Sequence, residues 1–392
     1  MQFVFKTAET LELLTGMFKF RPKNPAVVQL NNFCFEVNNN QMFVKIYDLQ
    51  TMVKVQVPVQ IFNCTEPASF MIDAQEIIDF LKSFSSNTWS EFSLDVNMDK
   101  ETCFLSIPKF KQQLPCYNGE EYPKLTGLPA TATSFSISNI ELYNIIDKGL
   151  EVVANDDLRP AMSSLYFNVN TESGVLETCS TNAKCLYSTT GRITVNVKGE
   201  AKHFLLESTA AKNIKNLLPK KVKNLSDVQE CKIRFDGEKA LMTIGKFALI
   251  TKLIDARYPD YKVVIPQESE TQPMKTVEFS KNIMLEAIKL VEKSADKQTK
   301  LVKFSFYSDK MVLYAEDLDF NKSAEATAEI VKSNIEDCMD IGFDWSLLKT
   351  LLYLLPEDDL YFELFAPNKA GIIKSKNTND EFTLLMPLML TN

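Results

Sequence analysis

A chain of 392 residues, 45% hydrophobic and 24% charged, is long enough for two or three ordinary domains and apolar enough to bury their cores. Its 43 Lys and Arg against 51 Asp and Glu leave a net charge of −8, which on its face argues against a protein that handles polyanions. One histidine (His203), eight cysteines without a C-x-x-C pair, and no G-x-G-x-x-G or G-x-x-x-x-G-K exclude the usual zinc sites, imidazole mechanisms and phosphate cradles, so no metal or cofactor is expected.

In chain order, the segment Met1 to Lys6 lacks the apolar stretch of a signal peptide, and no run approaches the ~18 apolar residues of a membrane span. A soluble, cytoplasmic protein with reduced thiols is expected. Three strand-like segments, Phe3 to Thr7, Phe135 to Asn139 and Val277 to Ser280, each run into an amphipathic helix. The change of period falls at Thr7, Asn139 and Ser280, taken as N-caps, which are 132 and 141 residues apart. A second set of helices is expected to start at Asp73, Ser208 and Asp344, 135 and 136 residues apart. Pro219 and Pro356 close two of these.

Between the helices lie short β-rich runs, in the first third Val27 to Val37, Met42 to Tyr47, Met52 to Val59, Phe92 to Met98 and Thr102 to Ile107. Leu125 to Thr133 and Gln267 to Pro273 read as linkers, each following a Tyr-Pro step (Tyr122-Pro123, Tyr258-Pro259) at the same period. The inference is an α+β protein of three repeated domains, 1–128, 129–266 and 267–392, each with two helices packed on antiparallel sheets. Too many hairpin-length strands adjoin one another for a parallel βαβ array.

The charge is uneven. Six helix-bearing segments hold sixteen basic and twelve acidic residues, a net +4, leaving −12 for the rest. The most basic one carries Lys212, Lys215, Lys220, Lys221 and Lys223 with no acid. Lysines on equivalent segments of a repeat point to a shared basic surface that meets phosphates without reading bases.

Tyr258-Pro-Asp-Tyr-Lys-Val-Val-Ile-Pro266 is similar to an F-P-D-Y-R-x-V-[LI]-P phrase, and Leu384-Leu-Met-Pro-Leu-Met-Leu390 to V-V-M-P-M-R-L. Arg21-Pro22 with Pro25, Asp48-Leu49, and Arg159 ahead of the strand Leu165-Tyr-Phe167 add weaker matches. In this order the chain resembles, over essentially its whole length, the bacterial DNA sliding clamp, the beta subunit of DNA polymerase III. The resemblance implies a non-enzymatic processivity factor in DNA replication. Two subunits would close head to tail into a ring of six similar domains, with helices around duplex DNA and sheets outside. Carried over by position, the DNA-facing residues would be Arg21, Lys23, Lys212, Lys215, Lys289, Lys293 and Lys297.

The resemblance also implies a hydrophobic cleft where the polymerase and the clamp loader dock short linear motifs. It would be built from Met162, Thr181, Leu186, Pro259, Val263, Val264, Ala370, Leu384, Leu385, Met386, Pro387, Leu388, Met389 and Leu390. A proline and flexible thioethers suit a surface that accepts several partners. The chain departs from the family beside this cleft, with Asn182-Ala-Lys-Cys-Leu186 for D-G-H-R-L, Met389 for an arginine, and Thr391 and Asn392 past the usual end. The subunit contact is expected between the strands near Phe110 to Leu114 and near Lys300 to Tyr307. Two rivals stand beside this reading: a clamp-fold adaptor that does not encircle DNA, and an enzyme built on Asp156-Asp157 or Glu357-Asp358-Asp359.

Overall fold

The computed structural model describes residues 1–392 except 25, 65, 85, 87, 157, 222–226, 270–272, 379 and 391–392. Its α-helices are α1 (Thr7–Phe18), α2 (Ala74–Lys82), α3 (Asn139–Leu150), α4 (Ser208–Lys215), α5 (Lys281–Val291) and α6 (Trp345–Leu354). Three of the expected caps act as caps. Asp73 accepts from the Gln75 and Glu76 amides, Asp344 from those of Ser346 and Leu347, and the Ser280 hydroxyl from that of Ile283.

Two expected caps are displaced by one residue. The cap of α3 is Ser138, whose hydroxyl accepts from the Glu141 amide at 3.2 Å while the Glu141 carboxylate accepts from the Ser138 hydroxyl at 2.7 Å, a reciprocal box. Asn139 instead accepts from the Gln229 amide at 3.2 Å. Thr7 is the first helical residue of α1 and fully buried, its hydroxyl without a partner among the described residues, because the preceding strand already faces it into the core. The run expected as one strand from Val27 is a 3-10 turn, Val28–Asn31, followed by the strand Asn32–Asn38. Thr133, placed in a linker, is fully buried at the start of the strand Thr133–Ser138.

The chain divides into two compact units. The first comprises Met1–Tyr143, Ile193–Phe204 and Thr209–Leu253, and holds a five-stranded and a ten-stranded antiparallel sheet. The second comprises Asn144–Arg192, Leu205–Ser208 and Ile254–Asn392, and holds a nine-stranded and a four-stranded antiparallel sheet. Alternation along strands such as Gln41–Tyr47 turns one face to the helices and the other to solvent. In the first unit Phe3, Phe35 and Phe70 stack through that core; in the second Phe343 stacks on Phe362 and meets Phe304 edge to face.

Each large sheet is two strand sets fused at a seam. In the ten-stranded sheet Thr51–Val57 pairs with Phe247–Lys252, from Thr51 opposite Thr251 to Val55 opposite Phe247. In the nine-stranded sheet Cys185–Arg192 pairs with Glu381–Leu385, from Cys185 opposite Leu385 to Thr189 opposite Glu381. The two smaller sheets are unfused counterparts of the same sets. In the four-stranded one, Leu301–Phe306 has a partner on both edges, Lys310–Asp317 and Met339–Asp344. It therefore cannot take the subunit contact expected near Lys300 to Tyr307. The edges of its sheet are Lys322–Glu329 and Met339–Asp344.

Replacing Asp344 by Ala removes two helix-end hydrogen bonds at 2.8 and 3.2 Å. The expected loss of unfolding free energy is about 1 kcal/mol, read from the urea midpoint.

Candidate functional site

The segment after Ile254 is shaped by a tyrosine cluster. Tyr258 stacks on Tyr166 with ring centroids 4.7 Å apart, and its hydroxyl donates to the Cys179 carbonyl at 3.3 Å. The Tyr261 hydroxyl donates to the Glu177 carboxylate, which also takes the Lys262 ammonium at 3.0 Å and the Asn168 amide at 3.2 Å. Burial pushes the Glu177 carboxyl upward, but the bonds from Tyr261, Lys262 and Asn168 outweigh it and hold the group below the usual range. The same burial and carboxylate raise the Tyr261 hydroxyl. With Tyr261 pinned, the 3-10 turn Tyr261–Val264 turns Val263 and Val264 out, 78% and 45% exposed. The turn thus presents two apolar side chains to solvent.

A second fixed element is the turn from Thr181 to Cys185. The Thr181 hydroxyl donates to the Cys185 carbonyl at 2.7 Å and accepts from the Ala183 amide at 3.1 Å. Asn182 accepts from the Lys184 and Cys185 amides, both at 2.9 Å. These bonds hold Ala183 at φ 72°, a left-handed conformation that glycine adopts more easily. The Lys184 carbonyl is thereby aimed at the tail, where it accepts from the Met386 amide at 2.8 Å.

Two residues on, the Leu388 amide donates to the Gly342 carbonyl at 2.8 Å. The tail is thus held at two points, and Gly342 is the notch for the second. A Cβ there would lie 2.6 Å from the Leu388 carbonyl oxygen and 2.7 Å from Leu301 Cδ1. Leu390 then lines a cavity of about 400 Å³ with Leu301, Tyr314 and Leu318.

The fourteen residues expected in the cleft fall into three groups. Leu186, Ala370 and Leu384, each no more than 3% exposed, share one apolar cluster with Tyr258 and Tyr261. Thr181 is buried with its hydroxyl used in the turn. Met386 and Met389 are exposed like the two valines, whereas Met162, Pro259, Pro387, Leu388 and Leu390 are half-buried. Leu385 does not belong: strand alternation turns it into the helix-side core with Phe279 and Leu352, fully buried. The sequence reading missed Tyr166, Glu177 and Gly342. Tyr166 and Glu177 lie on adjacent strands far from the Tyr258 phrase, and only pairing brings them to it.

Of the expected DNA-facing residues, Lys23, Lys212, Lys289, Lys293 and Lys297 are exposed and Lys215 is half-buried. The Lys297 ammonium sits 5.7 Å from the Phe320 ring centre. Arg21 is partly committed elsewhere, since its guanidinium donates to Asn31 at 3.1 Å and lies 5.7 Å from the Phe18 ring centre. Lys223, Pro25, Thr391 and Asn392 lie outside the described residues.

No protein-family model matches the chain. Among curated proteins it is similar to the beta sliding clamp of Pseudomonas aeruginosa, 19% identical over 388 residues that cover 97% of this chain and 96% of that one. The Helicobacter pylori beta sliding clamp is 21% identical, with 95% of each chain covered. Solved structures agree across the full length. The DNA polymerase III subunit beta of Pseudomonas aeruginosa matches with a TM-score of 0.88 at 18% identity, covering 100% of both chains. The chain belongs to the beta sliding clamp family as a divergent member.

The beta subunit of Thermotoga maritima, at TM-score 0.83 and 18% identity over 100% of both chains, shares the fold. The Helicobacter pylori beta clamp bound to a DNA ligase peptide matches at 0.82 and 18% identity, over 99% of this chain and 100% of that one. A sliding clamp is not an enzyme, and the carboxylates of the rival reading have structural work here. The Asp156 carboxylate pairs with Arg159 at 2.7 Å, a bond that holds it below its usual range, and Asp157 lies outside the described residues. Asp358 accepts from the Ser280 hydroxyl and the Asn282 amide, and Glu357 from Asn377. Among the described residues no helix is long and apolar enough to cross a membrane.

Replacing Gly342 by Ala should release the tail from its notch. The Leu388 amide is expected to exchange with solvent about tenfold faster in hydrogen-exchange mass spectrometry.

Proposed function

We propose that this divergent clamp is a cytoplasmic processivity factor that encircles duplex DNA as a head-to-tail homodimer and tethers a replicative polymerase to it. The whole-length likeness to beta sliding clamps carries this reading. The chain would act as three domains, 1–128, 129–266 and 267–392, six to a ring. Enclosure supplies the tether, so the contacts to DNA need only be weak and non-specific. Arg21, Lys23, Lys212, Lys215, Lys289, Lys293 and Lys297 would meet phosphates one ammonium or guanidinium at a time. The acidic remainder of the surface keeps DNA from binding elsewhere.

The docking site for the polymerase and the clamp loader would be the Tyr258 to Val264 turn, the floor of Leu186, Ala370 and Leu384, and the tail from Met386 to Leu390, with Met162, Thr181 and Pro259 beside them. Leu385 has no part in it. Two exposed methionines and two exposed valines suit the apolar residues of a short linear motif, and the preformed turns lower the cost of ordering it.

Protein loaded on nicked circular DNA should stay bound through gel filtration and be lost when the circle is linearised. Equal retention on both forms would refute enclosure. Removing residues 388–392 should abolish binding of a polymerase-derived peptide, followed by fluorescence anisotropy, while leaving the solution mass unchanged. Unaltered affinity would refute the placement of the cleft.

A further inference from the structure

The tail runs on past the residues that form the proposed docking site. Once its Leu388 amide has bonded the Gly342 carbonyl, it lies on the four-stranded sheet, on the face where Leu301 and Lys303 alternate with the buried Val302 and Phe304. A Cβ on Gly342 would stand 2.7 Å from Leu301 Cδ1 and 3.0 Å from Leu390 Cδ2, so the two leucines meet over that glycine. The cavity of about 400 Å³ opens at this point, where the tail ends.

Its walls are of two kinds. Leu301, Leu318 and Leu390 make an apolar side, and Leu318 is 83% exposed. Four carboxylates, those of Asp296, Glu316, Asp317 and Asp319, make the other. Asp296 accepts from the Gln298 and Thr299 amides and the Thr299 hydroxyl, Glu316 from the Tyr314 hydroxyl at 3.0 Å, and Asp317 from the Phe320 amide at 3.3 Å. Among the described residues none of the four forms an ion pair. Lys303, which also lines the cavity, lies 3.8 Å from Asp340 instead, and Lys297 and Lys322 lie against the Phe320 ring. Asp317 is only 4% exposed, and a buried carboxylate without a cation is an unfavourable state that a cationic ligand relieves.

The kind of cation follows from the spacing and from the leucines. Among the described residues no three acidic, cysteine or histidine side chains come together as a metal ion needs. A lysine or arginine side chain lays its methylenes on an apolar wall and carries its charge to the rim, and a guanidinium can reach more than one carboxylate. The tail does not supply that charge. Residues 384–392 hold no ionisable side chain, and Met389 stands where the related phrase has an arginine.

We infer that this cavity is an outer subsite of the docking site and takes a basic side chain, arginine or lysine, that flanks the apolar motif of a partner. The inference rests on the docking reading and adds to it the charge of the partner segment. Continuity along the tail brings the segment to the cavity, and the sign of the lining selects basic flanks over acidic ones. Attraction at a rim open to water weakens with salt.

Fluorescence anisotropy on the full chain tests it, with a labelled polymerase-derived peptide extended by Gly-Arg-Arg or by Gly-Glu-Glu, at its N-terminal or its C-terminal end. At low salt one of the arginine extensions should bind about fivefold tighter than the unextended peptide, and the glutamate extension at that end more weakly. The gain should shrink as salt rises. Glu316→Lys/Asp319→Lys, two exposed positions, should reverse the order of the extensions while changing the unextended peptide by less than about twofold. The same reversal at Asp99 and Glu238, exposed acids of the first unit, should leave the order as in wild type. If neither arginine extension gains, if the gain survives Glu316→Lys/Asp319→Lys, or if Asp99→Lys/Glu238→Lys removes it equally, the subsite is overturned and the docking reading stands. If the unextended peptide does not bind, or binds as well without residues 388–392, the docking reading falls and the subsite with it.

Discussion

A β-strand at the edge of a sheet carries a row of unsatisfied amides and carbonyls, and the architecture of this chain follows from where those rows are satisfied. Two seams, Thr51–Val57 with Phe247–Lys252 and Cys185–Arg192 with Glu381–Leu385, join strands nearly 200 residues apart. Each turns two modest strand sets into one large sheet and adds a local lock: a buried bond between the Thr51 and Thr251 hydroxyls at 2.8 Å in one, and the Lys148, Glu381 and Tyr187 cluster in the other. Among the edges that remain in the described residues are Phe110–Pro115 and Lys322–Glu329, each the last strand of its sheet.

The second seam also builds the proposed docking site. The strand that pairs with Cys185–Arg192 is the one that continues into the tail, so the seam decides where Met386 to Leu390 begin. From there Lys184 and Gly342 carry it in two hydrogen bonds. Strand alternation then divides neighbours of equal hydrophobicity. Leu384 joins the cluster around Tyr258, and Leu385 joins the core around the helices. One departure from the family, the run Asn182-Ala-Lys-Cys-Leu186, lies on these supports. Asn182 secures a turn that Ala183 must enter with positive φ, so side-chain bonding replaces backbone freedom.

The charge distribution reads the same way. A net −8 conceals a positive excess near the helices, and a clamp that must slide gains from few and weak phosphate contacts. Among the named cations Arg21 is held by Asn31 and Phe18, and Lys297 lies against the Phe320 ring.

The α+β class, six helix positions and a threefold period were legible in the sequence, because caps and apolar periodicity act within about four residues. Asp73, Ser280 and Asp344 were readable as caps for this reason. Thr7 and Asn139 misled by one residue, since a buried strand end and the Ser138 to Glu141 box compete for the same signal. The family resemblance was also carried by short phrases that survive divergence. What only the tertiary structure decided is which distant strands meet and in what register. Long-range pairing brought Tyr166 and Glu177 to the Tyr258 turn, put Gly342 under Leu388, turned Leu385 inward, and left Lys322–Glu329 rather than Leu301–Phe306 at the edge. A local pattern carries no information about a partner more than a hundred residues away, and a slip of one residue in register would exchange every inward side chain for an outward one.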